Sequence, residues 1–402
     1  MDIDSIPSRG PAHSTAGHVP NHLLLQWHIT ERCNLRCEHC YQECYGGEEL
    51  GFERWLDILN QYRTLLADWR AISRNSRKPT GHITITGGEP FVHKDFLKLL
   101  DVFASHKTEY SFAILSNGFF IDEALAVRLR DLGPSFVQIS LEGTQTTHDR
   151  IRGAGTYARA VAALRHLRAV RIPTLISFTA HRGNFREFAD VAALGCQIGV
   201  DRVWSDRLIP HGSGEALHEQ LLTPQETREF MGLMAQARAL ATRKWFNRTE
   251  ISLHRALQFL HGGGQAYRCT AGDSLITVQP NGDVLPCRRM PIKVGSLKDS
   301  TLRAIYDGSP VLKELRDRNR RSEGCDGCSY AKGCRGGLKC LSYAVNGDPF
   351  TADPGCWIAD TDTNTASPTT VSSGSPRRIP LNPDTPTQAA DGESRIGGCD
   401  GL

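Results

Sequence analysis

From Leu23 to Leu208 the chain repeats one pattern: a short apolar run, then a longer stretch with apolar residues at helical spacing. The strand-like runs are Leu23 to Thr30, His82 to Thr86, Tyr110 to Leu115, Phe136 to Leu141, Thr174 to Thr179 and Arg202 to Leu208. The helical stretches are Phe52 to Trp69, Asp95 to Ser105, Asp122 to Leu132, Tyr157 to Ala169 and Phe185 to Leu194. Strands joined through helices lie parallel with right-handed crossovers. Six such units are too few to close the eight-stranded barrel. The expectation is therefore an open α/β architecture.

A further helix is expected at Thr223-Pro224-Gln225-Glu226, with Thr as cap, Pro at the first helical position and Glu completing a capping box. From about Tyr267 to Trp357 the chain turns Cys- and Gly-rich. A hairpin is predicted there, Leu275 to Val278 and Val284-Leu285 around Pro280-Asn281-Gly282-Asp283, with a helix from Leu302 to about Arg320. Residues 361–402 are Ser/Thr/Pro-rich without an aromatic residue and read as a disordered tail. The organisation is thus a flexible N-terminus 1–20, an α/β unit 21–245, a cysteine-rich unit 246–360 and the tail 361–402.

Composition narrows the class. A net charge of +3 over 402 residues, with no basic block, argues against nucleic acid as partner. Residues 1–20 lack the apolar core of a signal peptide, and no run reaches membrane-spanning length, so a cytoplasmic protein without a membrane partner is expected. Without an export signal, thirteen cysteines in short-spaced groups read as metal ligands rather than disulfides.

The densest group is Cys33, Cys37 and Cys40, spaced C-x3-C-x2-C directly after the first strand. Three thiolates on one short loop suit three irons of a 4Fe-4S cubane and leave the fourth iron without a protein ligand. Structural zinc, with Cys44 or His39 as fourth ligand, is the alternative. Gly87-Gly88-Glu89-Pro90 ends the second strand, where two glycines allow close backbone approach. Ser116-Asn117-Gly118 and Ser140-Leu141-Glu142-Gly143 end the third and fourth strands, and Leu208-Ile209-Pro210 the sixth.

Cysteine spacing and strand-end motifs together resemble the radical S-adenosylmethionine (SAM) enzymes. The resemblance implies a partial (β/α)6 barrel whose cluster on Cys33, Cys37 and Cys40 binds SAM and cleaves it reductively to a 5'-deoxyadenosyl radical that abstracts hydrogen. It places Gly87, Gly88 and Glu89 at the SAM amino group, Asn117 and Ser140 among the polar contacts to SAM, and Leu208 and His39 near the adenine. Asn117, Glu142 and Asn184 read equally well as helix caps. His148, Asp149, Arg150 and Arg152 fall in a Gly-bounded loop, where Arg152 pairs either a ligand carboxylate or a surface acid.

The downstream cysteines resemble the SPASM domain, an auxiliary-cluster extension of many radical SAM enzymes. Cys269, Gly282, Cys287, Cys325, Cys328, Cys334 and Cys356 fit its spacing. The position four after Cys334 departs: it holds Leu338, and the thiol is Cys340. Position by position, the resemblance implies two auxiliary 4Fe-4S clusters, an outer one on Cys325, Cys328, Cys334 and Cys356 and an inner one on Cys269, Cys287 and Cys340. The inner set either leaves an open iron or borrows a ligand such as Cys44, Cys196 or an oxygen side chain. Zinc is again the structural alternative.

Such enzymes commonly act on peptides or proteins, with a flavodoxin- or ferredoxin-type electron donor. Only about twenty residues precede the first strand, so a separate recognition protein is expected. Arg288 and Arg289 suit an acidic peptide or a propionate-bearing ring, or simply solvate the surface. Tetrapyrrole or other cofactor-precursor modification is the enzymatic alternative, and a non-catalytic iron-sulfur or zinc scaffold the alternative of another class. Spacing marks no general base.

Overall fold

The computed structural model describes residues 18–74, 76–243 and 247–358; most of the expected flexible N-terminus, the tail and Cys399 lie outside the described residues. Six parallel strands form the expected centre: β1 (His22–His28), β2 (Thr80–Thr86), β3 (Ser111–Ser116), β4 (Val137–Ser140), β5 (Thr174–Ala180) and β6 (Arg202–Arg207). Each pairs with the next in parallel register, for example Leu25 with Ile83 and Ile176 with Val203. The helices between them are α1 (Phe52–Ile72), α2 (Phe96–Ser105), α3 (Glu123–Leu132), α4 (Gln145–Arg152), α5 (Thr156–Ala169) and α6 (Phe188–Ile198).

The sheet continues past the sixth strand. β7 (Glu250–Ile251) adds to β6, while β8 (Leu275–Val278), β9 (Asp283–Leu285) and β10 (Gly295–Ser296) extend the β1 edge, giving the order β10-β9-β8-β1-β2-β3-β4-β5-β6-β7. The predicted hairpin is β8 and β9, turning through Gly282 at φ +90°. β8 runs parallel to β1, Leu24 opposite Leu275, so the cysteine-rich region shares the barrel's sheet.

Strand alternation sorts the two faces. Leu23, Leu25 and Trp27 of β1, like Ile83, Ile139 and Ile176 elsewhere, pack with the helices into one large core. The opposite face lines the barrel interior and is polar: Thr277 Oγ1 donates to Gln26 Oε1 at 3.2 Å, and Trp204 Nε1 to Gln138 Oε1 at 2.9 Å. A lumen of this composition suits a ligand better than a packed core.

Two local expectations change. The segment Gln145–Arg152 is a helix, not a loop, because Glu187 supports its first turn from outside: its carboxylate accepts from Thr144 N at 2.7 Å and Thr147 Oγ1 at 2.6 Å. The helix expected from Leu302 to Arg320 is two, Leu302–Gly308 and Pro310–Arg316, because Pro310 cannot donate and Ser309 caps the second through Leu312 N. The capping box of α7 (Pro224–Arg243) forms in both directions, Glu226 N to Thr223 Oγ1 at 3.1 Å and Thr223 N to Glu226 Oε2 at 2.9 Å.

Candidate functional site

The loop carrying Cys33, Cys37 and Cys40 leaves the C-terminal end of β1 and is laid against the end of β2 by backbone bonds. Gly88 N donates to Thr30 O at 2.8 Å and Glu89 N to Arg32 O at 2.9 Å. A Cβ at Gly88 would stand 2.4 Å from Arg32 O, and one at Gly87 2.5 Å from Thr30 O. The close approach these glycines permit is therefore first to the cysteine loop itself. Asn117 adds a tether, Nδ2 donating to Asn34 Oδ1 at 2.9 Å.

Glu89 is fully buried and turned inward, accepting from Ser116 Oγ at 2.9 Å and Asn117 N at 2.8 Å. It fastens the end of β2 to the end of β3. Burial pushes its carboxyl up to about 7 despite those bonds.

Glu142 and Arg152 build the opposite wall. Arg152 donates to Glu142 Oε1 from Nε at 3.1 Å and Nη2 at 2.5 Å, and its Nη1 lies 3.7 Å from Cys37 Sγ. His39 Nε2 stands 3.2 Å from the same oxygen. Burial opposes ionisation of Glu142, but Arg152 and His39 outweigh it and hold the carboxyl well below the usual range. Arg152 thus pairs Glu142 in the interior rather than a surface acid. Asn184 likewise makes no cap bond; it bridges Glu142 O at 3.1 Å and Thr179 O at 3.0 Å.

The three thiols are near enough to influence one another's charge, and Cys33 Sγ accepts from Leu35 N at 3.4 Å. Burial pushes the Cys33 thiol up to about 11 and raises Cys37 as well. Arg152 offsets only part of that cost at Cys37, and iron, which binds thiolates, would supply the further positive charge. Among the described residues no three His, Cys, Asp or Glu side chains gather tightly enough for a single metal ion. Ser140 lies on the lumen side of β4 with its hydroxyl 3.5 Å from Ser177 Oγ, and Leu208 is buried just past β6.

The remaining cysteines form two further groups. Cys325, Cys328, Cys334 and Cys356 line one cavity of about 220 Å³, roofed by Leu257, Phe259 and Tyr330. Burial drives Cys325 up to about 11 and Cys334 to about 12. Four thiols on one largely apolar cavity fit a fully ligated cubane. Cys269, Cys287 and Cys340 pack in a separate apolar cluster, and Cys340 is raised by burial and by the other two. Gly336 and Gly337, both at positive φ, lead into the helix Lys339–Asn346, on which Cys340 is buried. Cys196 packs instead against the barrel core.

The sequence does not mark the contacts that join these groups to the barrel. Arg207 of β6 makes a buried bidentate pair with Asp353, at 2.7 and 2.5 Å, and Asp353 also accepts from Leu338 N and Gly355 N. Asp206 of β6 receives Arg255 and Arg289. Arg288 is buried with its guanidinium 5.3 Å from the Tyr41 ring, so neither arginine simply solvates the surface. The one signal was position: Trp204 and Asp206 are polar-capable residues at alternate places in the strand, on the face opposite Val203.

Comparison with known proteins matches the radical SAM superfamily to residues 27–194 and the iron-sulfur cluster-binding SPASM domain to residues 269–329, a span that ends before Cys334, Cys340 and Cys356. Mycofactocin maturase MftC of Mycobacterium ulcerans is 28% identical over 348 residues, covering 83% of this chain and 87% of its own length. Pre-heme d1 synthase of Dinoroseobacter shibae is 27% identical over 370 residues, covering 85% and 87%. PqqA peptide cyclase of Gluconobacter oxydans is 27% identical over 340 residues, covering 82% and 89%. The solved structure of anSMEcpe with bound AdoMet superposes with a TM-score of 0.66 at 16% identity, over 87% of this chain and 96% of that one, a likeness of fold. The chain is an enzyme that carries a radical SAM domain followed by a SPASM iron-sulfur cluster-binding domain.

Proposed function

We propose that this enzyme modifies a ribosomally made peptide or protein, forming a cross-link or oxidising a side chain. The observation that carries the reading is the gathering of ten cysteines into three groups beside a polar barrel lumen. Cys33, Cys37 and Cys40 would hold a 4Fe-4S cluster that, with SAM and one electron from a donor, would supply radical chemistry able to take hydrogen from a C-H bond. The protein's own part is positional. Gly88, Glu89 and Asn117 hold the cysteine loop on the sheet, Arg152 and Glu142 brace Cys37 and His39, and Ser140 and Leu208 face the space beside them.

The groups Cys325/Cys328/Cys334/Cys356 and Cys269/Cys287/Cys340 would hold two auxiliary clusters, the inner one with an open iron or with a ligand beyond its three thiols. A flavodoxin- or ferredoxin-type donor and a separate peptide-recognition protein complete the system, in the cytoplasm. Among the described residues no helix is long and apolar enough to cross a membrane. The peptide reading draws on the relative named as a PqqA peptide cyclase. The second reading, tetrapyrrole modification, draws on the relative named as pre-heme d1 synthase.

The test is high-resolution mass spectrometry of the short peptide encoded beside the gene after anaerobic incubation with reconstituted enzyme, SAM and a strong reductant. Loss of two hydrogens that disappears in Cys33→Ala, Cys37→Ala and Cys40→Ala is expected. Release of 5'-deoxyadenosine with an unchanged peptide turns the assignment to the tetrapyrrole reading; intact clusters without SAM cleavage would leave the non-catalytic scaffold.

A further inference from the structure

Where the barrel meets the cysteine-rich region, one carboxylate serves two arginines. Asp206 lies on the lumen side of β6, two residues from Trp204, while Val203 on the opposite face packs into the helical core. Asp206 Oδ2 accepts from Arg255 Nε at 3.1 Å, Arg255 Nη2 at 2.8 Å and Arg289 Nη1 at 2.6 Å. Three donors converge on one oxygen, and two guanidinium charges face one carboxylate. The guanidinium charge also faces the thiols of Cys269, Cys287 and Cys340.

That charge is placed for a ligand. Of the N-H donors a guanidinium carries, Arg289 gives one to Asp206 and Arg255 two. The side chains of Arg255 and Arg289 keep 30% and 21% of their exposure, so neither is sealed in a closed core. Arg255 is also fixed in plane between rings, its Cζ 5.0 Å from the Trp204 ring and 5.7 Å from that of Tyr267. A rigid, partly desolvated fork with spare parallel donors recognises a carboxylate bidentately.

We propose that Arg255 and Arg289 are a carboxylate-binding site in the lumen, and that the substrate peptide is anchored there through its C-terminal carboxylate or an Asp or Glu side chain. This rests on the peptide reading above and narrows it. Asp206 orients the pair, and the donors it leaves unused would meet the carboxylate.

The double pairing makes the test clean. Either arginine can be removed singly without leaving Asp206 buried and unpaired, the event that makes such substitutions disruptive. Reconstituted enzyme with SAM is equilibrated anaerobically with random N-acetylated hexapeptide pools, and retained peptide is quantified by mass spectrometry after ultrafiltration. One pool lacks Asp and Glu and has free C-termini, a second is its carboxamide, and a third is a carboxamide pool with one Glu per peptide. Wild type should retain the first or third pool about tenfold over the second, the worth of a charged hydrogen-bonded contact. Arg255→Gln and Arg289→Gln should each abolish the preference at unchanged iron content and melting temperature.

Equal retention of all pools, retention by the variants equal to wild type, or no retention by wild type of any pool or of coproporphyrin III overturns the proposal. Retention of coproporphyrin III but no peptide, lost in both variants, would keep the arginine pair as a carboxylate site and remove the peptide reading instead. Peptide retention indifferent to carboxylate and to both arginines would do the reverse.

Discussion

The two cysteine-bearing regions are held by different physics. The loop of Cys33, Cys37 and Cys40 hangs on a finished scaffold: backbone bonds to Gly88 and Glu89, the Asn34 to Asn117 tether, and the buried Glu142, Arg152 and His39 cluster, all fixed by barrel strands. The groups between Cys269 and Cys356 sit on short elements, a two-turn helix at Lys339–Asn346 and a single turn at Ala331–Cys334, over a small apolar cluster. One region is organised by the fold before any iron arrives. In the other, the iron that the thiols would hold is expected to add to a smaller core.

The sharpest way to break this contrast is to remove the iron. Chelation under anaerobic, reducing conditions should expose the segment between Gly324 and Cys356 to proteolysis while the barrel strands stay resistant, read as cleavage sites by mass spectrometry. Equal loss of protection in both regions would erase the distinction. Next in size is Arg207→Met, which leaves Asp353 buried without its partner at a cost of ~3–5 kcal/mol. It should lower the melting temperature and release iron from the C-terminal groups, and leave the iron on the Cys33 loop in place.

A third effect depends on pH. The folded protein holds a proton on Glu89 up to about 7, above the ordinary carboxyl value. The unfolded chain releases it lower, so the contribution of Glu89 to stability should rise as pH falls from 7 toward the ordinary value, opposite in sign to that of His82, His148 and His181, whose pKa burial lowers to about 4, and the penalty for the buried carboxylate charge is complete above 7. The whole swing is of order ~3 kcal/mol. Glu89→Gln should flatten it, as judged by urea midpoints of metal-free protein across that interval; an unchanged slope would assign the titration elsewhere.

How far the sequence reveals this follows from the range of each interaction. The six βα units and the capping box at Thr223 are local patterns and were legible, down to a cap that forms in both directions. The spacing of Cys33, Cys37 and Cys40 is also local, while the two downstream groups, whose members lie far apart in the chain, were grouped through the resemblance to the SPASM domain. What stayed hidden are pairings between distant positions: Arg207 with Asp353, Asp206 with Arg255 and Arg289, and Glu187 beneath the helix Gln145–Arg152. A charged residue in a strand carries no label naming its partner 146 positions away. The Gly-Gly turn was legible as a close approach, while its nearest neighbour, the cysteine loop, was not.

The smallest effect sharpens the contrast from the other side. Asn117 is one tether among several for the Cys33 loop, its Nδ2 bonded to Asn34 and its Oδ1 accepting from Phe119 N at 2.9 Å. Asn117→Ala removes both at a cost of about 1 kcal/mol, a typical net value for such bonds. Because the glycine contacts and the Arg152 brace persist, the loop should still take up iron, and melting should fall by only a few degrees. SAM affinity is the more sensitive readout: if Asn117 also meets SAM, as the strand-end motif implies, binding by equilibrium dialysis should weaken further than the melting shift accounts for. Matching losses in both would make Asn117 a tether alone.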